Sequence, residues 1–226
     1  SRQKKFIQTF KHNMSSKEAP RITKDTRLPY TKITYIPDFE KFNISGYSDD
    51  MIALMEKRAY DVAAWTDNKV NVFFNGKKLN IPSFEKYINL YIGNKKERQR
   101  VIEKSDRWEI VAALNDEQVF EQISFVNGIH TVRGGKHVDH VVNQITKKLV
   151  AFINKKKKIR VKPNYIKDNL IVFVKASIEN PSFDSQTKET LTTPMGKFGS
   201  RCKISDSFID KLAKYGIMNK AISLNQ

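Results

Sequence analysis

Cysteine is almost absent from this chain of 226 residues: Cys202 stands alone. One thiol closes no internal disulfide and cannot build a cysteine-rich zinc site, so a reducing, intracellular setting is expected. Long apolar runs are missing as well. The best of them, residues 170–174, is far too short to span a bilayer. The N-terminal stretch Ser1-Arg2-Gln3-Lys4-Lys5 has no apolar run and no initiator methionine, so it reads as a cut within a longer chain, not as a signal peptide. There is no internal repeat, and the one low-complexity feature is a lysine run. Acidic residues are scarce, 24 against 41 basic ones, which leaves a net charge of +17. Such an excess concentrates polyanions and speeds their capture, so nucleic acid is the expected partner. An acidic membrane surface would call for a basic amphipathic helix, and none is seen, so no membrane partner is expected. A hydrophobic content of 39% supports a folded core in one large domain or two small ones.

Along the chain, residues 6–10 and 30–36 partly alternate and read as strands, with a polar loop over residues 15–28. A helix follows. Ser48 or Asp49 can cap it, Asp49 and Asp50 suit its positive end, and Ile52, Met55, Ala59 and Val62 make an apolar stripe up to about Ala64. Residues 70–74 read as a strand entering an Asn75-Gly76 hairpin turn. Residues 83–91 read as a short helix and residues 94–106 as an exposed linker, with the domain boundary between about Leu79 and Asp106. Strands are expected at 108–114 and 119–126, joined at Asn115-Asp116. A long helix begins after Gly134-Gly135, with Val138, Val141, Ile145, Leu149 and Phe152 as its buried stripe. Residues 170–178 form a near-continuous apolar run, the mark of a central strand. A polar stretch covers 179–201, and a last helix, capped by Ser205 or Asp206, stops near Gly216. Strand, strand, helix, strand, helix predicts an α/β fold of α+β layers, a sheet with helices on one face.

Three segments could carry chemistry. Gln186, Thr187 and Lys188 lie in the polar stretch beyond the central strand. Read as extended chain, Gln186 and Lys188 point the same way, and an amide with an ammonium suits phosphate oxygens. From composition alone, a solvated loop is the favoured reading. Lys155, Lys156, Lys157 and Lys158, with Arg160 and Lys162 behind them, are the densest positive charge in the chain. Duplex-backbone contact explains them, as do a solvated helix end or a nuclear localisation patch. No aromatic residue interleaves with the run, which disfavours base stacking. Gly134-Gly135-Lys136-His137 precedes a helix but is no P-loop, and the glycines read as a tight turn. His137 and His140 lack further metal ligands and read as exposed or capping residues, so no metal site is expected.

Several segments, in order and at matching spacing, resemble eukaryotic-type DNA topoisomerase II. They are Gln122-Ile123-Ser124-Phe125-Val126-Asn127, Gly134-Gly135-Lys136-His137-Val138, Ile178-Glu179-Asn180-Pro181, Ser185-Gln186-Thr187-Lys188-Glu189 and Phe198-Gly199-Ser200. Residues 30–42, the helix bearing Arg58-Ala59-Tyr60-Asp61, and residues 72–76 extend the likeness over nearly the whole chain. The resemblance implies the tail of a Bergerat-type ATP-binding domain of the gyrase, Hsp90, histidine-kinase and MutL class over residues 1–81. A transducer domain with a fold like ribosomal protein S5 domain 2 would follow over 82–226. It implies that Gln186, Thr187 and Lys188 reach the ATP γ-phosphate and that Lys155, Lys156, Lys157 and Lys158 touch double-stranded DNA. It further implies that Mg²⁺ ligands, the ATP lid and the catalytic base lie outside this chain, which alone would not hydrolyse ATP. The whole enzyme would be a homodimer, nuclear, or cytoplasmic if the source is viral. Gly128 and His130 depart from the Ser and Ala usual in the family. The alternatives are a MutL- or Hsp90-like ATPase segment and a non-enzymatic basic nucleic-acid-binding module.

Overall fold

The computed structural model describes residues 3–66, 68 and 70–224; Ser1 and Arg2 of the basic N-terminal stretch lie outside them. The chain divides into two compact units, Ser1–Ala53 and Leu54–Gln226. In the first, β1 (Lys4–Ile7), β2 (Phe10–Lys11), β3 (Ser16–Lys17) and β4 (Arg21–Lys24) nest, with β2 paired to β3 and β1 to β4, both antiparallel. Much of the loop expected over 15–28 is therefore strand. All four β4 residues are exposed, so backbone pairing forms the strand without any apolar pattern to announce it. Conversely, the strand expected over 30–36 does not form. Ile33 and Ile36 are 83% and 88% exposed, and among the described residues no segment pairs with this one.

Helix α1 (Asp49–Trp65) begins in the first unit and ends in the second. Its start is as expected, with the Ser48 hydroxyl accepting from the Met51 amide at 3.3 Å. Its buried side is not. Ile52, Met55 and Val62 are exposed, whereas Asp61, Ala63 and Ala64 are buried. Next come a two-residue hairpin, β5 (Phe73–Phe74) and β6 (Lys77–Lys78), turning on Asn75 and Gly76 with positive φ, and α2 (Phe84–Ile92), capped by Ser83.

The second unit is built on a five-stranded sheet: β7 (Arg100–Lys104), β8 (Trp108–Leu114), β9 (Glu121–Val126), β10 (Ile129–His130) and β11 (Leu170–Ala176), in the order β10-β9-β11-β8-β7. β11 is the central strand, parallel to β9 and antiparallel to β8. β7 occupies part of the expected linker. It is an edge strand in which Arg100 and Val101 are buried, Ile102 and Lys104 are exposed and Glu103 is half-buried, and its charged residues keep its sequence from reading as a strand. Helices cover both faces, not one. Ile110, Ala112, Val172 and Val174 pack with α3 (Lys136–Lys157), α4 (Pro163–Lys167), α5 (Asp206–Leu212) and α6 (Met218–Ser223). Val111, Ala113, Phe125, Ile171 and Phe173 pack with α2 and the end of α1. The near-continuous apolar runs of β8 and β11 require this, since alternate residues would otherwise face water. The last expected helix does break near Gly216. The chain kinks at Tyr215 and Gly216 and continues as α6.

Candidate functional site

Central strand β11 delivers the chain to residues 177–193, where the phosphate-suited side chains lie. Asn127, in a left-handed turn at φ 50°, fastens the strand's exit. Its side-chain amide donates to the Ile178 carbonyl at 2.8 Å and its side-chain oxygen accepts from the Ile178 amide at 2.9 Å. Beyond it, Phe183 and Leu191 pair as an isolated bridge, closing the base of a loop. Above the base, the Asp184 carboxylate accepts from the Thr190 amide at 3.1 Å, and the Asp184 amide donates to the Thr190 carbonyl at 3.2 Å. Hydrogen bonding from Thr190 holds the Asp184 carboxyl below its ordinary range, so it is an anion committed to the loop's own backbone.

The tip is a turn, not extended chain. The Lys188 amide donates to the Ser185 carbonyl at 3.1 Å, and Lys188 adopts a left-handed φ of 59°. This corrects the expectation that Gln186 and Lys188 share one side of an extended segment. Gln186 and Thr187 are exposed at the crest, with the Thr187 and Ser185 hydroxyls 2.8 Å apart. Lys188 is half-buried, its Nζ 5.8 Å from the centre of the Phe183 ring. An ammonium, an amide and hydroxyls on a fixed turn, with the Asp184 carboxylate bonded to Thr190 and the Glu189 carboxylate paired with Arg133, fit phosphate oxygens.

The returning limb docks on the start of α3. Arg133 donates its amide to the Glu189 carbonyl at 3.0 Å, Leu191 to Gly134 at 3.0 Å, and Lys136 to Leu191 at 3.0 Å. Arg133 and Glu189 also pair through their side chains at 3.0 Å. Below this junction His137 is fully buried, against the expectation of an exposed or capping residue. The Ser124 and Thr131 hydroxyls lie 2.6 Å apart, and His137 Nε2 lies 3.2 Å from Thr131. Burial pushes His137 down to about 3, so the imidazole is neutral. His140 instead sits 3.0 Å from the Cys202 carbonyl. Among the described residues no three His, Cys, Asp or Glu side chains converge on a point where a metal could bind.

The lysine run lies at the other end of α3. Lys155, Lys156 and Lys157 form its last turn, where cations complement the helix dipole, and Lys158 closes it in a left-handed conformation, donating to the Asn154 carbonyl at 2.9 Å. All four are exposed. Aromatic rings flank the basic segment without interleaving with it: Lys156 Nζ lies 4.7 Å from the Phe152 ring and Lys162 Nζ 5.6 Å from the Tyr165 ring. Helix α3 has 22 residues and is thus about 33 Å long. The structure therefore places the two candidate sites at opposite ends of one helix and does not bring them together.

A third cluster escaped the sequence reading. Asp61 of α1 is buried and accepts from Lys57 at 2.9 Å and from the Tyr87 hydroxyl of α2 at 2.7 Å. His130 of β10 lies 3.1 Å from Lys57 and 3.7 Å from Asp61. Burial, and then the Lys57 charge, push His130 down to about 4. The available signal was Asp61 itself, an acid one turn from Lys57 and next to Ala63-Ala64.

A family profile described as DNA gyrase B matches residues 70–224. DNA topoisomerase 2 of Arabidopsis thaliana is 45% identical over 231 residues, covering 98% of this chain and 16% of that protein. The solved ATPase region of Saccharomyces cerevisiae topoisomerase II is 37% identical, with a TM-score of 0.89, over 99% of this chain and 57% of that one. The ATPase and transducer domains of DNA topoisomerase II from Balamuthia mandrillaris are also 37% identical, with a TM-score of 0.82, over 99% of this chain and 58% of that one. The chain thus spans a small part of the full length of the curated relatives it matches.

Proposed function

This chain belongs to the DNA gyrase B family, in its eukaryotic-type DNA topoisomerase II branch, and from that premise we propose that it senses bound ATP for a DNA-passing enzyme. Residues 1–81 are read as the end of the ATP-binding domain and residues 82–226 as the transducer. The whole enzyme would be an ATP-dependent isomerase of DNA topology, acting as a homodimer on double-stranded DNA.

The observation that carries this reading is the turn at residues 185–188. It presents Gln186, Thr187 and Lys188 on a base closed by Phe183 and Leu191 and rooted in the central strand. Lys188 and Gln186 would meet the γ-phosphate of an ATP held mainly by residues outside this chain. A ligand shifts a conformational equilibrium only through contacts that differ between its states. Lys188 supplies such a contact if it reaches the terminal phosphate only when the two domains close. Release of phosphate would remove it, and the entrance gate would reopen. Mg²⁺ would be held outside this chain as well. Lys155, Lys156, Lys157 and Lys158 would steady the DNA backbone at the far end of α3.

The test is Lys188→Ala in the full-length enzyme. ATP-dependent strand passage should fall on the order of 100-fold, the scale of loss when a positioning contact on a reacting group is misplaced, while the thermal midpoint stays within about 2 °C. Normal strand passage would remove Lys188 from the sensor role.

A further inference from the structure

We propose that Gly135 is a positioning residue for the lysine turn: its bare backbone is a socket for Leu191, and that contact holds Lys188 in register with α3. The inference rests on the sensor reading above. Gly135 bridges Leu191 in parallel fashion. The Leu191 amide donates to the Gly134 carbonyl and the Leu191 carbonyl accepts from the Lys136 amide, both at 3.0 Å, so the pairing brackets Gly135 on both sides. A Cβ at Gly135 would fall well inside van der Waals distance of the Leu191 carbonyl oxygen and amide nitrogen. Its φ of +123° is also one that side-chain-bearing residues rarely adopt. The obstructing atoms are backbone, so no side chain can swing away; the limb carrying Leu191 would have to lift.

Lifting Leu191 moves Lys188, because little separates them. Leu191 pairs with Phe183 to close the loop, and Lys188 lies three residues before it, with Glu189 tied to Arg133 by a backbone bond at 3.0 Å and a side-chain pair at 3.0 Å. The side-chain pair is the lesser part, since Arg133 is 73% exposed there and exposed pairs contribute little. The glycine is therefore the discriminating position. Gly196, with nothing within 4 Å of a Cβ built on it, is the internal control.

In the full-length enzyme, Gly135→Ala should lower the ATP-driven strand-passage rate at least about tenfold, as expected for an ångström-scale displacement of a working side chain, while Gly196→Ala leaves it unchanged. Added to Lys188→Ala, it should cause no further loss, because both changes remove the same interaction. A merely structural defect would instead multiply with the Lys188→Ala loss. If Lys188→Ala is itself silent, the sensor reading fails; if Lys188→Ala is crippling and Gly135→Ala is silent or additive, the socket fails. Amide hydrogen exchange on the unaltered enzyme guards against a variant that does not fold. The Leu191 and Lys136 amides should be slow, and slower still with a non-hydrolysable ATP analogue. Exchange as fast as at the exposed crest residue Gln186 would overturn the proposal without any substitution.

Discussion

His137 is uncharged in the folded chain near neutral pH, and this ties stability to acid. Its folded pKa is about 3, against an ordinary value near 6.5. Between these values the unfolded chain binds a proton that the folded chain refuses. The stabilisation is present in full above pH 6.5 and is lost progressively as pH falls toward 3. His130, pushed down to about 4, adds to the slope in the same direction. With the Thr131 hydroxyl directed at Ser124, the imidazole donates from Nε2, and a glutamine can reproduce that donor. His137→Gln should therefore unfold in urea with a shallower loss of stability from pH 6.5 to 4, about one proton less steep; an unaltered slope would show that His137 stays protonated in the fold. At this scale the sequence was informative about kind and poor about place. Gln186, Thr187 and Lys188 could be singled out as phosphate-suited groups, but their turn could not, because it depends on Phe183 meeting Leu191 and on Asp184 reaching Thr190.

Helix α3 is the element that declares itself most clearly. Val138, Val141, Ile145 and Leu149 recur at helical spacing and are all buried, and the lysines that end it complement the dipole. Its charged end yields a test of what the run is for. Replacing Lys155, Lys156, Lys157 and Lys158 with alanine in the full-length enzyme should lower the salt slope of DNA binding by about one unit for each phosphate no longer touched. A slope equal to that of the parent enzyme would mark a solvated helix end. The central strand was equally plain, since β11 is buried along nearly its whole length and cannot be polar. Edge strands were not. All of β4 and part of β7 face solvent, and what holds them is a ladder of backbone bonds to β1 and β8, to which the side-chain pattern contributes little. For α1 the pattern misled: its apolar stripe is exposed, and the buried side carries Asp61.

Asp61 matters for the second unit as a whole, because its carboxylate joins α1, α2 and β10 through Lys57, Tyr87 and His130. Asp61→Ala would leave the Tyr87 hydroxyl with Tyr91 as its remaining partner and would take the carboxylate away from Lys57, whose side chain is 39% exposed. A loss of about 1–2 kcal/mol is expected, as when a buried hydroxyl loses a charged acceptor while the partner cation stays hydrated, and urea unfolding would measure it; a change below about 0.5 kcal/mol would show the cluster to be a surface-like pair. Lys175 reinforces the same junction, donating from near the end of β11 to the Ala64 and Trp65 carbonyls at the end of α1 at 3.1 and 2.6 Å. The side chains alone dictated the strongly basic character, the order of the main helices and strands, the central position of β11 and the family to which the motifs belong. Each of these is written in local periodicity, charge or a string of matching residues. Only the tertiary structure decided which helices cover each face of the sheet, that Leu191 lies against Gly135, and that the lysine turn and the lysine run stand at opposite ends of α3. Those are meetings between residues distant in sequence, made by close packing and backbone pairing, and no local pattern encodes them.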